Sequence, residues 1–143
     1  MEQVLFHRLL GIFEFKKDYQ LKSSGLNYVQ LHTLEGICKE GELKTLDISR
    51  LLGISPSTLI GILDELEKKK LIKRERQKDD KRVVLVKASE EGRKKVQQHI
   101  EEDKAFLRNL TAALDEREEK LLSELLEKIT GSIGRLEELF RNN

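Results

Sequence analysis

The fold is decided by residues 44–92, which read KTLDISRLLGISPSTLIGILDELEKKKLIKRERQKDDKRVVLVKASEEG. Apolar residues at helical spacing predict two short helices in this stretch, at about 46–52 and 56–69. Gly53 lies between them and supplies the left-handed backbone conformation that often ends a helix. Hydroxyl side chains stand where both helices begin and are expected to cap them: Thr45 and Ser55. The pattern therefore predicts a helix–turn–helix.

The second half of the same stretch predicts a β-hairpin. Residues 71–76 and 83–88 contain β-branched side chains and flank the polar turn QKDDK at 77–81, which is typical of two strands joined by a turn. The hairpin carries several lysines and arginines and directly follows the second helix of the motif. A helix–turn–helix followed by a basic hairpin is the layout of a winged-helix DNA-binding module.

Amphipathic helices are predicted on both sides of this module. Apolar periodicity places them at about 2–20, 28–39, 90–113 and 116–140. Capping boxes begin two of them, one at Asn27 and Gln30 and one at Asp115 and Glu118. Ser89 is expected to begin the long helix after the hairpin. The predicted fold class is mainly α with a small β-hairpin wing, a winged helix–turn–helix core flanked by N- and C-terminal dimerisation helices.

Composition limits the class of protein. The chain has 143 residues, of which 37% are charged and 5% aromatic, with one Pro and one Cys. This composition favours helices, and a single Cys excludes an internal disulfide and fits a reducing compartment. No apolar run approaches the roughly 18 residues of a membrane span, and the N-terminus does not resemble a signal peptide. We therefore expect a cytoplasmic protein.

Charge is distributed unevenly along the chain. The net charge is only +1, but residues 68–82 hold nine lysines and arginines against three acids, a local charge of +6. Residues 101–143 hold eleven acids against seven basic residues, a local charge of −4. A basic patch on a near-neutral protein is the electrostatic mark of a nucleic-acid surface. A solvated surface of lysine and glutamate is the alternative.

The terminal helices predict a homodimer. Within a single chain of 143 residues, the winged-helix DNA-binding module is assigned to residues 28–92, and the dimerisation helices to 1–20 and 93–143. The compact module does not need the apolar stripes of the terminal helices for its own core, so these stripes must be buried elsewhere. A two-fold dimer would cover them and place two recognition helices about 34 Å apart, in successive major grooves. A monomeric bundle that shields its own stripes is the alternative.

At this point the residues resemble a known family. The segment DDKRVVLVKASEEG (79–92) resembles the wing of the MarR (multiple antibiotic resistance regulator) family, which has Asp-x-Arg, an apolar strand, and then Ser or Thr and Gly opening a long helix. The matching positions are Asp80, Arg82, Val86, Ser89 and Gly92. Residues 48–74 resemble the family's helix–turn–helix, and GLNYVQLHTL (25–34) looks like its second helix. The resemblance covers nearly the whole chain.

Three positions depart from the family pattern. Lys70 stands where the family commonly has Gly after the recognition helix, and Asp79 stands at a wing-tip position that is often Arg. Gly61 stands where many members carry a larger polar or basic side chain. The predicted second helix of the motif, 56–69, is the recognition helix. Its exposed face has no Arg, Asn or Gln, the side chains that make the commonest bidentate base contacts.

Double-stranded DNA, in the form of a pseudo-palindromic operator, is the expected partner. The expected contacts are Thr45, Ser55, Ser57, Thr58, Ile60, Arg74, Arg76, Lys78, Lys81 and Arg82. The hydroxyls are expected at phosphates or bases near the helix N-terminus, and the hairpin cations at phosphates. Ile60 is expected either to contact a thymine methyl or to pack. The family resemblance implies an ion pair between Asp80 and Arg82 that shapes the wing. Affinity is expected to depend on phosphate contacts and DNA shape.

The resemblance also implies a repressor that a small aromatic effector releases from promoters. The candidate effector-binding residues are Phe13, Lys17, Tyr28 and His32, with core packing or an ordinary interface as the alternative. Neither a cofactor nor a metal is expected, because the three histidines are widely spaced. An enzyme is rejected, since no motif of nucleotide binding or hydrolysis is present. A winged helix that binds only proteins, and a redox sensor that uses Cys38, remain as rival hypotheses.

Overall fold

The computed structural model describes residues 3–131. Its elements, in chain order, are α1 (Gln3–Ser24), α2 (Tyr28–Glu40), β1 (Glu42–Lys44), α3 (Thr45–Leu52), α4 (Pro56–Lys68), β2 (Ile72–Arg76), β3 (Val84–Ala88), α5 (Glu90–Leu110) and α6 (Glu116–Thr130). This architecture confirms the predicted class, mainly α with a small wing. The first helix continues to Ser24 instead of ending at 20. The predicted extension of the last helix to about 140 lies outside the described residues.

The sheet has three antiparallel strands in the order β1-β3-β2. The hairpin of β2 and β3 was predicted, and Arg74 pairs with Val86 at its centre. The short strand β1 was not predicted, and it adds to the other edge of β3 with Leu43 opposite Val86. Its three residues are too few to show the alternation of apolar and polar side chains that predicts a strand. Pairing with β3 is what makes this segment extended.

The helix starts follow the predicted capping chemistry with one exception. Both capping boxes form, at Asn27 and at Asp115, and the Oγ of Ser55 accepts the backbone N–H of Thr58 at 3.2 Å. Thr45, however, does not cap α3, because the cap residue is Lys44 and no side chain bonds the first turn. The Thr45 hydroxyl instead donates to the carbonyl of Val84 at 3.4 Å. It therefore joins α3 to the sheet.

The core lies where α2, α3, α4, the sheet and the first half of α5 meet. Its buried apolar residues are Leu26, Leu31, Leu34, Ile37, Ile48, Leu59, Leu63, Leu66, Leu71, Ile72, Val86, Ala88 and Val96. Gly92 allows α5 to approach this core closely, since a Cβ at that position would lie 2.1 Å from the carbonyl oxygen of Leu71. The hydroxyl of Ser89 accepts the N–H of Gly92 at 3.0 Å. Ser89 thus begins α5 as predicted.

The chain divides into two compact units, residues 1–102 and 103–143. In the described part of the second unit, α6 has no buried residue, and its apolar side chains Leu121, Leu125, Leu126 and Ile129 are exposed. In the first unit, Gln20 is the sole buried residue of α1. Within residues 3–131 no single helix is long and apolar enough to cross a membrane, and the pair α3 and α4, bent by 110°, reaches that length and composition only when taken together.

Candidate nucleic-acid interface

The N-terminal turn of α4 presents a cluster of hydroxyl groups to solvent. Ser55, Ser57 and Thr58 are all exposed. The Ser55 Oγ lies 2.8 Å from the Thr58 Oγ1 and 3.1 Å from the Ser57 Oγ. Pro56 at the first helical position fixes the entry of the chain into the helix. The structure therefore brings three of the predicted contact residues together where the helix dipole favours an anion.

The remainder of α4 divides into a buried face and an acidic face. Leu59, Leu63 and Leu66 are buried in the core, whereas Ile60 is exposed and lies on the outer side. Farther along the helix the exposed positions include Asp64 and Glu65. Isolated carboxylates on a surface that approaches DNA repel phosphate. The outer face of α4 is therefore suited to hydroxyl and apolar contacts at its start, and its acids lie farther along.

The wing presents exposed cations around a tightly bonded turn. Arg76, Lys78, Lys81 and Arg82 are exposed. Backbone hydrogen bonds close the turn, from the N–H of Gln77 to the carbonyl of Val83 at 2.9 Å and from the N–H of Val83 to the carbonyl of Asp80 at 3.0 Å. The structure thus places four predicted DNA contacts on an ordered hairpin.

Asp80 shapes this turn through the backbone. Its Oδ1 accepts the backbone N–H of Arg82 at 3.0 Å. This contact differs from the expected ion pair, in which the carboxylate would meet the guanidinium. An Asp side chain that bonds a backbone N–H two residues ahead is a common stabiliser of turns. The Arg82 guanidinium is consequently available for a ligand outside the wing.

Arg74 has partners within the protein that the sequence did not reveal. Its Nε donates to the Oε2 of Glu67 at 2.9 Å, and its Nη2 lies 2.7 Å from the Oδ1 of Asp64. The hydrogen bond to Glu67 is the main reason why the pKa of Arg74 lies above its ordinary value, and burial acts against it. The guanidinium of Arg74 thus bonds two carboxylates of α4, which the expectation of a phosphate contact did not include.

A cleft of about 580 Å³ separates the start of α4 from the wing. It is lined by Lys44, Thr45, Leu46, Pro56, Ile60, Leu63, Arg74, Arg82, Val83 and Val84. Four predicted DNA contacts, Thr45, Ile60, Arg74 and Arg82, therefore border one concave surface although they come from α3, α4, β2 and the turn of the wing. Thr45 lies partly buried on its wall, where its hydroxyl is already bonded to Val84.

Lys70 adopts a backbone conformation that favours glycine. Lys70 has φ of 60° and is the residue other than glycine that adopts a positive φ within the described chain. A left-handed conformation costs an L-residue about 1–2 kcal/mol, which is why glycine suits this position. The carbonyl of Lys70 accepts the hydroxyl of Ser89 at 2.7 Å. The bond ties the end of α4 to the start of α5.

The candidate effector-binding residues lie in two local groups. The Tyr28 hydroxyl is 2.6 Å from the Nε2 of His32, and the rings meet edge to face with centroids 4.4 Å apart. Lys17 pairs with Glu14 at 2.8 Å. The hydrogen bond that the Lys17 Nζ donates to Glu14 is the main cause of the raised pKa of Lys17, and Tyr28 adds a small electrostatic contribution. Phe13 is exposed on α1.

Sequence reasoning missed the continuation of the Tyr28–His32 pair. The Oε2 of Glu35 lies 2.9 Å from the Nδ1 of His32, and its Oε1 lies 3.3 Å from the Nε2 of the buried His99 on α5. Positions 28, 32 and 35 share one face of α2 by helical spacing, which could have indicated the link. His99 could be found only from the packing of α5. Glu35 therefore connects α2 to α5.

The remaining chemistry of the described residues is limited. Burial raises the pKa of the Cys38 thiol above its ordinary value, which disfavours the reactive thiolate and fits a small packing residue. Between residues 3 and 131 no group of three or more His, Cys, Asp or Glu side chains is placed to hold a metal ion.

Comparison with known proteins finds relatives by sequence and by fold. The model of the MarR family matches residues 26–84. The repressor MdtR of Bacillus subtilis is 30% identical over 98 residues, which span 68% of this chain and 63% of MdtR. The structure of YusO from B. subtilis superposes with a TM-score of 0.80 at 25% identity and covers 91% of this chain and 92% of YusO. FabT of Streptococcus pneumoniae, solved in complex with DNA, shares the fold at 23% identity with a TM-score of 0.78, covering 94% and 98% of the two chains.

The fold, the family match and the curated relatives identify a DNA-binding transcriptional regulator with a winged-helix fold. The chain belongs to the MarR family.

Proposed function

We propose that the chain is a homodimeric repressor that occupies a pseudo-palindromic operator in the cytoplasm. The observation that carries this proposal is the juxtaposition of the exposed N-terminal turn of α4 with the exposed cations of the wing. Two further facts support it: FabT, which has the same fold, was solved in complex with DNA, and the relative MdtR is named a repressor.

In the proposed complex, the N-terminal end of α4 enters the major groove. Ser55, Ser57 and Thr58 bond phosphates or base edges, and Ile60 meets an apolar base edge such as a thymine methyl. Arg76, Lys78, Lys81 and Arg82 bind phosphates from the wing. Thr45 borders the same cleft and contacts the DNA backbone. Because α4 carries no Arg, Asn or Gln, phosphate contacts and DNA shape supply most of the affinity.

The terminal helices support the dimer. The apolar side chains of α6, Leu121, Leu125, Leu126 and Ile129, are between 45% and 60% exposed. On α1, the aromatic side chains of Phe6, Phe13, Phe15 and Tyr19 are exposed as well. Soluble monomers rarely expose apolar surface on this scale. A second copy of the chain is the occupant that a symmetric regulator of palindromic DNA requires.

The proposed release step uses a small aromatic ligand near Tyr28 and His32. These two rings and the nearby Lys17 offer an aromatic surface, hydrogen-bonding groups and a positive charge, which suit a phenolic acid. Small phenolic acids are therefore expected to lower operator affinity, and Tyr28→Phe and His32→Ala to weaken that response while DNA binding without ligand persists. If a broad panel of phenolic acids leaves DNA binding unchanged, this step is rejected.

The central experiment is a gel-shift titration with DNA from the region upstream of the chain's own gene, with unlabelled mixed-sequence DNA as competitor. Binding should survive competitor and weaken steeply as salt rises from about 50 to 200 mM, because phosphate contacts release counterions. Affinity that barely changes with salt would contradict the phosphate-based mechanism. Absence of any duplex binding would instead favour a winged helix that recognises another protein.

A further inference from the structure

Three charged side chains join the recognition helix to the wing. Asp64 and Glu67 belong to α4, and Arg74 belongs to the neighbouring strand β2. The Arg74 Nε donates to the Glu67 Oε2 at 2.9 Å, and the Nη2 contacts both the same oxygen and the Asp64 Oδ1, the latter at 2.7 Å. The backbone N–H of Arg74 also donates to the Glu67 Oε1 at 3.3 Å. The Glu67 carboxylate thus bonds both the backbone and the side chain of Arg74.

The Arg74 side chain is less exposed to solvent than its two carboxylate partners. The Arg74 side chain is 26% exposed, compared with 56% for Asp64 and 38% for Glu67. The guanidinium group is a planar fork of donors that matches carboxylates geometrically. Here Nε and Nη2 bond the two carboxylates, and the group is more sheltered than either of them. A phosphate that approached Arg74 through Nε or Nη2 would have to displace these bonds.

The effect of the Arg74 charge on DNA binding is indirect, because it acts through Asp64 and Glu67. Asp64 and Glu67 are three residues apart and therefore neighbours on one side of α4. Without a counter-charge, they would place two negative charges on the helix that is expected to enter the groove of a polyanion. Arg74 supplies one positive charge between them and fixes the helix against the wing strand, so that the hydroxyl turn of α4 and the wing cations keep a constant spacing.

We propose that Arg74 is a positioning residue that clamps α4 to β2 and shields the carboxylates of Asp64 and Glu67, and that it does not contact a DNA phosphate. This role rests on the proposed DNA-binding function. In this role, Asp64 and Glu67 of the recognition helix hold the wing strand, although their charges would otherwise oppose DNA binding.

A double-mutant cycle tests the clamp. Wild type, Arg74→Ala, the double variant Asp64→Asn/Glu67→Gln, and the triple variant are titrated against a fluorescein-labelled 40-bp duplex from the upstream region. A clamp predicts that Arg74→Ala weakens binding about tenfold in the wild-type background and less than about twofold in the neutralised background. In the matched background Glu65→Gln the loss should remain about tenfold. Equal losses in all backgrounds would overturn the proposal.

The salt dependence separates positioning from phosphate contact. Each substitution occurs twice in the proposed dimer, so removing a phosphate ligand lowers the slope of log affinity against log salt by about 1.8, or about 0.9 per phosphate. Lys78→Ala, the control, should show this decrease, whereas Arg74→Ala should leave the slope unchanged although its affinity is lower. A decrease of about 1.8 for Arg74→Ala would identify it as a phosphate ligand and overturn the proposal.

An unfolding cycle tests the clamp without DNA. The same four variants are unfolded in urea, and we expect Arg74→Ala to raise the unfolding equilibrium constant about fivefold more in the wild-type background than in the neutralised one. Arg74→Lys should recover less than half of this coupling on a logarithmic scale, because it keeps the charge and loses the fork. Absence of coupling overturns the clamp. If wild type binds no duplex while the coupling is present, the DNA-binding proposal fails and the clamp stands.

Discussion

The central module (residues 26–96) and the terminal helices use apolar residues in opposite ways. In the described chain, every buried apolar residue lies between Leu26 and Val96. The terminal helices α1 and α6 are also rich in apolar residues, yet most of their large apolar side chains remain exposed. Periodicity therefore identifies a helix with an apolar face but does not say what covers that face. The module covers its apolar faces within one chain, whereas the terminal helices leave theirs largely exposed.

The largest effect that would test this contrast is expected at Gly92. A Cβ at Gly92 meets the carbonyl of Leu71 at 2.1 Å, so Gly92→Ala must displace α5 from the module. We expect a loss of stability of about 4 kcal/mol, above the usual range of about 1–3 kcal/mol for overpacking, because backbone is the obstacle. Urea unfolding at a fixed protein concentration measures it.

Gly61→Ala is the matched control for Gly92→Ala. Gly61 also lies in the first half of a helix, but a Cβ there meets nothing within 4 Å. The substitution should raise stability by about 0.5–1 kcal/mol, because alanine restricts the unfolded chain and favours helix. A Gly92→Ala protein as stable as wild type would show that the contact between α5 and the module is not a fixed part of the core.

The next effect concerns the terminal helix α6. Leu125→Glu combined with Ile129→Glu places two charges on its exposed apolar stripe. We expect the dimer dissociation constant to rise about 100-fold, equivalent to about 2.7 kcal/mol, while the circular dichroism of the module persists. Sedimentation at several concentrations gives the constant.

Ser123→Glu on the same helix adds a charge at a polar position and should leave the association unchanged. A wild-type protein that sediments as a monomer at all concentrations would break the proposed contrast. The exposed stripes would then need a different occupant.

A smaller effect is expected from the wing of the module. Lys78→Ala combined with Lys81→Ala should weaken binding to specific and mixed-sequence duplexes alike, by about tenfold near physiological salt, because phosphate contacts carry no sequence information. Fluorescence anisotropy measures the affinities, and sedimentation checks that the dimer persists. Lys94→Ala on α5, whose side chain pairs with Glu90, is the control. Unchanged affinity of the double variant would remove the wing from the mechanism.

The smallest effect is expected at Lys70. Its φ of 60° favours glycine, and Lys70→Gly should stabilise the module by about 0.5–1 kcal/mol after the greater flexibility of unfolded glycine is counted. Thermal unfolding measures the gain. Lys69→Gly, at a neighbouring position with φ of −78°, should lower stability. A destabilised Lys70→Gly protein would mean that contacts of the lysine side chain outweigh the backbone strain.

Much of the interface could be predicted from local sequence. Ser55 and Pro56 identified the start of α4, Gly53 identified the turn, and the alternation of the wing located both strands of the hairpin. These features depend on interactions within a few residues, which the sequence contains directly. The strand β1, the role of Thr45 and the partners of Arg74 were among the features that escaped prediction. The first two depend on contact with β3, which is distant along the chain, and the third depends on how β2 packs against α4.

Sequence alone determined the winged-helix order of elements, the hydroxyl-rich start of the recognition helix and the concentration of cations in the wing. These follow from backbone propensity, capping and composition. Tertiary structure alone decided which charged side chains pair within the protein and which remain exposed to solvent. It placed Arg74 against Asp64 and Glu67, joined Asp80 to the backbone of Arg82 and left Lys78 and Lys81 exposed. An ionic partner depends on distances of a few ångströms between elements, and only the packing of α4 against the sheet fixes those distances.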